Sequence, residues 1–201
     1  MFYYLEGTVA IIGQNLAVID IGGVGYACTT TLSTLSRLEA GKKARLYTYC
    51  NIKEDTFDIY GFFDIGEKRC FELLLGVSGV GPKAAVSILS SASPESLALA
   101  IISDDESALT IAPGIGKKLA QRIILELKDK VSKETAALKT TGYVPPRDGT
   151  DKPGGKQRDA AAALAVLGYS QAEISAAMRG FDLESMSVEE IIREVLKRSV
   201  K

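Results

Sequence analysis

Two stretches of this sequence repeat one another without a gap. Val77-Ser78-Gly79-Val80-Gly81-Pro82-Lys83-Ala84-Ala85-Val86-Ser87-Ile88-Leu89 aligns with Ala112-Pro113-Gly114-Ile115-Gly116-Lys117-Lys118-Leu119-Ala120-Gln121-Arg122-Ile123-Ile124. In each, an apolar residue stands between two glycines, and a lysine and an alanine follow on the next helix. The glycines permit a tight turn and leave room beside the backbone. The apolar residue between them plugs the bend into the helix pair. The bend ends at a helix N-terminus, whose unpaired N–H groups and positive dipole end suit an anion. Lys83, Lys117 and Lys118 can reach the same anion, and Arg122, one helical turn beyond Lys118, shares its face. The chemistry is therefore phosphate capture, and Gly79, Val80, Gly81, Lys83, Gly114, Ile115, Gly116, Lys117, Lys118 and Arg122 are the expected contacts to a sugar-phosphate backbone. A lone Gly-x-Gly could merely link two packed helices; two copies, each followed by lysine, favour binding. Such contacts carry no base information, so binding should be independent of sequence and sensitive to salt.

Other chemistry is closed off by composition. The chain has no histidine, which excludes His-based acid-base catalysis, Ser-His-Asp triads and His-ligated metals. It has no Gly-x-x-x-x-Gly-Lys-Ser/Thr loop, since the nearest stretch, Gly76 to Gly81, runs into Pro82-Lys83. Any ATP-driven work must come from a partner, and no metal or cofactor is expected. Cys28, Cys50 and Cys70 are far apart, odd in number and set in apolar stretches, so they read as reduced core residues of a cytoplasmic protein. No apolar run approaches the roughly 20 residues of a membrane span, and the N-terminus lacks the pattern of a secretory signal. No membrane association is expected. The formal net charge of -1 looks wrong for a binder of polyanions, but between Ser107 and Leu125 stand three cations and no acid. A local basic face can hold phosphate on a neutral molecule.

The elements that must position these bends follow from periodicity. Alternation and β-branched content predict strands at Phe2 to Ile12, Leu16 to Ile21, Tyr26 to Thr30, Ala44 to Ile52 and Phe57 to Phe62, with a short helix around Leu32 to Leu38. Five strands with a helix between the third and fourth is the order of an OB-fold barrel. From Ile65 to Leu127 apolar residues recur at helical spacing, broken by the two bends, and Ser93-Pro94 looks like a helix start. Gly142 to Lys156 is rich in Pro, Gly and charge and reads as a linker. Helices are then predicted at Gln157 to Leu167, Ser170 to Arg179, and from Ser187, where Glu190 three residues on makes a capping box and Ile191, Ile192, Val195 and Leu196 face inward. The fold class is α+β multidomain: an OB-fold β-barrel over residues 1–63, an all-α double-bend domain over 64–141, a linker over 142–156, and a three-helix domain over 157–201.

The bends Gly79-Val80-Gly81-Pro82-Lys83 and Pro113-Gly114-Ile115-Gly116-Lys117-Lys118 look like helix-hairpin-helix motifs. They are joined to a barrel containing Gly22-Gly23-Val24-Gly25-Tyr26, Lys53-Glu54-Asp55 and Tyr60-Gly61-Phe62, and followed by Leu167-Gly168-Tyr169. In this order the whole chain resembles the RuvA family of Holliday junction branch migration proteins. The resemblance implies a flat four-fold homotetramer, one or two of which hold a four-way junction open. It implies that the C-terminal domain recruits RuvB, a hexameric ATPase that pumps the DNA, and that the resolvase RuvC joins the resolving complex. It places Glu54 and Asp55 as an acidic pin, with Lys53 beside them on a phosphate. Carboxylates at a hairpin tip repel phosphates and would keep strands apart; without the resemblance, Glu-Asp is an unremarkable solvated turn. The partner-binding role of Leu164, Leu167 and Tyr169 also rests on the resemblance, since each could be a core residue.

Two alternatives belong to other classes. Some base-excision glycosylases carry this bend and a Schiff-base lysine at the position of Lys118. They need an aspartate on a following loop, whereas Glu126 and Asp129 fall on the same helical stretch as Lys118. The other is a protein-protein adaptor that binds no DNA.

Overall fold

The computed structural model describes residues 1–140, 155–166, 169, 171–179, 181 and 186–199. By contacts it divides into two compact units, Met1–Pro94 with Thr110–Ile115, and Glu95–Leu109 with Gly116–Lys201.

The first unit begins with the five expected strands: β1 (Tyr4–Ile12), β2 (Leu16–Ile21), β3 (Val24–Thr29), β4 (Lys43–Ile52) and β5 (Phe57–Phe62). They close into a barrel in the order β1-β2-β3-β5-β4, with β3 and β5 parallel and the other pairs antiparallel. The closing pair is short, Cys28 with Ile59 and Thr29 with Tyr60. Alternate residues face inward, and Leu5, Val9, Ala17, Ile19, Cys28, Leu46 and Ile59 fill the centre. Two strand bounds differ from the sequence reading by two residues, and two more by one. β3 starts at Val24, two residues early, because Gly22 and Gly23 both take positive φ (63° and 89°) and turn the chain between the paired residues Ile21 and Val24. That is the geometry of a two-residue hairpin turn, which needs no longer break. β1 starts at Tyr4, two residues later than expected. The three cysteines are buried and in no disulfide, and burial pushes the Cys28 thiol up to about 12.

A buried polar cluster joins the barrel to the helices. Thr31 caps α1 (Leu32–Ser36), and Asp64 caps α2 (Ile65–Leu75) by accepting from the Glu67 amide at 2.8 Å. The Glu67 carboxylate accepts from the hydroxyls of Thr31 and Thr34, the latter at 2.6 Å. Burial raises the Glu67 pKa, and those two hydroxyls oppose the rise. Phe71 seats α2 against the barrel, its ring centroid 4.8 to 5.4 Å from those of Phe62, Tyr60 and Tyr49. From α2 the chain bends into α3 (Pro82–Ser91).

The second unit holds most of α4 (Pro94–Ile102) and of α5 (Glu106–Thr110), then α6 (Lys117–Thr140), α7 (Gly155–Val166), α8 (Gln171–Met178) and α9 (Val188–Ser199). α7 begins inside the stretch read as linker, at Gly155; the rest of that stretch, 142–154, lies outside the described residues. The capping box forms as read: the Ser187 amide donates to Glu190 Oε2 at 2.7 Å and the Glu190 amide to Ser187 Oγ at 3.3 Å. Those bonds, led by the Ser187 amide, lower the Glu190 pKa. Ile191, Ile192, Val195 and Leu196 face inward and share a core with Ala160, Ala163, Leu164, Ile174, Met178 and Ala98 of α4. Among the described residues no single helix is long and apolar enough to cross a membrane.

Candidate nucleic-acid interface

Both bends have the backbone that the repeat requires. Gly79 and Gly114, the first glycine of each, take φ of 89° and 84°, a left-handed conformation costly to residues with a Cβ. The second glycines serve a different end. Gly81 caps α3 with φ of -92°, which any residue can adopt. A Cβ built on Gly81, Gly114 or Gly116 would meet nothing within 4 Å. These glycines therefore keep open space over the backbone, room that a phosphate oxygen could use. Gly7 in β1 is the contrast, since its Cβ would lie 2.1 Å from the Asp20 carbonyl oxygen.

The residue between the glycines is the plug the pattern suggested. Val80 and Ile115 are buried. Their amides close the bends, Val80 N–H donating to the Val77 carbonyl and Ile115 N–H to the Ala112 carbonyl, each at 3.1 Å. Of the expected contacts, Val80 and Ile115 are placed with the side chain toward the core and the N–H bonded within the turn. The N–H groups at the start of the following helix remain for an anion. No side chain caps α3, and Pro82 has no N–H, so the Lys83 and Ala84 amides point out of the helix start. Ala84 was not singled out in the sequence; the absence of a capping side chain is the signal that could have found it. α6 begins directly after Gly116, which accepts from the Leu119 and Ala120 amides at 3.0 Å.

Within the first unit, α3 and the second bend touch. Ser87 Oγ donates to the Pro113 carbonyl at 2.8 Å. This serine lies inside the repeat, but its spacing carries no sign of that bond.

The cations are exposed as binding requires. Lys53, Lys83, Lys117, Lys118 and Arg122 are all at the surface, with Lys117, Lys118 and Arg122 on α6. The acid-free stretch in the sequence is not an acid-free surface, however. Glu106, one residue before it, comes within 3.9 Å of Lys117 Nζ and accepts from Gln121 Nε2 at 2.9 Å. A long, exposed pair of this kind is worth little and yields to a phosphate, but it makes Lys118 the stronger candidate of the two. Lys128, further along α6, is held by Asp104 at 2.6 Å.

Lys53, Glu54 and Asp55 form an exposed turn between β4 and β5, closed by the Lys53 amide donating to the Thr56 carbonyl at 2.8 Å. Both carboxylates stand in solvent, where Thr56 Oγ1 donates to Asp55 Oδ1 at 3.0 Å. In the C-terminal helices two of the three expected partner-binding residues lie in or against the core. Leu164 is fully buried and Tyr169 packs half-buried against the same core, because a unit this small needs them inside. Leu167 lies outside the described residues.

A closed five-stranded barrel followed by two glycine bends, each opening a helix with lysine at its start, defines a tandem helix-hairpin-helix protein built on an OB-like barrel. Comparison with known families agrees. Residues 1–61 match the family described as RuvA N terminal domain, 71–129 the SAM-like helix-hairpin-helix tandem, and 155–200 the RuvA C-terminal domain. The chain is 46% identical over 201 residues, 98% of each chain, to the Holliday junction branch migration complex subunit RuvA of Acetivibrio thermocellus. Proteins of the same description from Ruminiclostridium cellulolyticum and Alkaliphilus oremlandii are 42% and 39% identical, over at least 98% of both chains. The chain belongs to the RuvA family.

Proposed function

We propose that this protein binds four-way DNA junctions by their phosphate backbones and serves as the DNA-holding subunit of a branch migration complex, without catalysis of its own. The observation that carries the reading is the twofold occurrence of one device: a left-handed glycine, a buried plug, an open second glycine, and a helix start bearing exposed lysine. Backbone amides and ammonium groups arranged this way recognise phosphate and not base. In this reading the barrel, the double-bend segment and the C-terminal helices are three working parts. Four copies surround the junction, one or two tetramers deep. The C-terminal helices recruit the hexameric ATPase RuvB through surface other than Leu164, RuvC joins for resolution, and the complex works in the cytoplasm. The glycosylase alternative is disfavoured by α6, which carries Lys118, Glu126 and Asp129 on one continuous helix, so neither carboxylate stands on a following loop.

Lys118→Ala tests the grip. Junction affinity, measured by gel shift across a salt series, should fall, and its log-log slope should flatten by about 0.9 for one lost phosphate contact. An unchanged slope removes Lys118 from the interface.

The acidic turn is tested separately. In this reading its carboxylates hold phosphates apart at the crossover. Glu54→Gln with Asp55→Asn should leave junction affinity equal or higher and should lower the permanganate reactivity of thymines at the crossover. Weaker binding by that variant would count against the pin.

A further inference from the structure

The inward-facing rows of the barrel overrun its end. On β4 the row of Leu46, Thr48 and Cys50 is buried, yet its next member, Ile52, is 63% exposed. On β5 Ile59 is 8% exposed, while Phe57, two residues earlier, is 56% exposed. Side chains alternate between the faces of a strand, so Ile52 and Phe57 continue the interior rows past the last filled layer. They pair in register two residues beyond the pair Cys50 and Ile59, and so on the same face. The Phe2 ring lies against Phe57 and Tyr26, with centroids 6.2 and 5.8 Å apart. The barrel mouth thus ends in an apolar floor with aromatic faces, and the acidic turn springs from it, since Ile52 and Phe57 flank Lys53-Glu54-Asp55-Thr56.

The chemistry of the turn selects the occupant. Glu54 and Asp55 repel a phosphate or an acidic peptide from this rim. A nucleobase is flat and uncharged, and stacking on an aromatic side chain contributes about 1–3 kcal/mol per base whatever the base. Bases that lose their pairing partner beside the turn would otherwise sit in water. We propose that Phe57, supported by Ile52 and Phe2, is a stacking platform for nucleobases unpaired at the crossover, so that the turn displaces phosphates while the adjacent ring holds the freed bases. This rests on the junction-binding reading and gives its acidic turn a second, attractive half.

The test uses the full chain and a synthetic four-way junction carrying 5-iodouracil at the crossover. Irradiation should cross-link the probe to Phe57, identified by mass spectrometry. The cross-link should vanish in Phe57→Leu and persist in Phe57→Tyr, and the same probe far out on an arm should give none at this residue. If the wild-type chain shifts no junction in a gel, the junction-binding reading itself fails. If the junction binds but the crossover probe never reaches Phe57, the platform alone is overturned. Light scattering guards against a different occupant: Phe57→Leu should keep the particle mass of the wild type, and a smaller particle would assign the ring to a contact between copies and overturn the proposal.

Discussion

Replacing Gly81 and Gly116 together by alanine should leave the fold intact and lower junction affinity by on the order of a hundredfold. Neither position needs glycine for folding. Gly81 has an ordinary φ, Gly116 is not among the left-handed glycines, and an added Cβ at either meets nothing within 4 Å. Alanine is a slightly poorer helix cap than glycine, by a few tenths to about 1 kcal/mol. It also restricts the unfolded chain, which returns about 0.4–1 kcal/mol. The two effects nearly cancel, so the thermal midpoint should stay within a few degrees. Binding is another matter, because each methyl fills the space over a helix start where a phosphate oxygen would approach. A hydrogen bond to a charged group contributes about 1.5–3 kcal/mol. Losing one such contact at each bend comes to about 3 kcal/mol or more, at about 1.4 kcal/mol per factor of ten. Thermal unfolding and fluorescence anisotropy on a labelled junction check the two halves. Lost stability with lost binding would make the glycines structural; retained binding would place the phosphate elsewhere.

Gly7→Ala should do the reverse, strongly destabilising the fold with no direct effect on the bends. Its Cβ would stand 2.1 Å from the Asp20 carbonyl oxygen and 2.9 Å from Ile21 Cγ1. The obstacle is backbone on the paired strand β2, next to the register pair Thr8 and Asp20, so no side-chain rotation relieves it. β1 must part from β2 in a barrel whose closure depends on both. A loss above about 4 kcal/mol is expected, the range reached by few single substitutions. That is much of the roughly 5–15 kcal/mol that holds a typical domain together. Urea unfolding followed by circular dichroism measures it, and a loss under about 1 kcal/mol would mean the strands part without cost, against their close approach here.

The contrast among these glycines marks what a sequence can and cannot disclose. The bends were legible because their pattern is local: two glycines around an apolar residue, repeated, dictate a turn into a helix. β2 and β5 fell on their expected bounds because alternation and flanking turns define them, and the Ser187 and Glu190 cap formed because it needs only four neighbouring residues. Hidden were the contacts between distant residues. Spacing does not show that Glu106 reaches Lys117, that Ser87 bonds to the Pro113 carbonyl, or that Thr31 and Thr34 sequester Glu67. Nor does it show that the Val80 and Ile115 amides are consumed in closing the bends. Leu164 was ambiguous for a related reason: an apolar residue near a helix end serves a core or a partner equally well until its neighbours are placed.

The central claim is that main-chain N–H groups at two helix starts clasp phosphates, and amide hydrogen exchange reads those groups directly. With the full chain, adding a synthetic four-way junction should slow exchange in segments covering Lys83-Ala84 and Lys117-Lys118, and the protection should fade as salt rises. A junction that binds while both segments exchange as fast as in the free protein would contradict it.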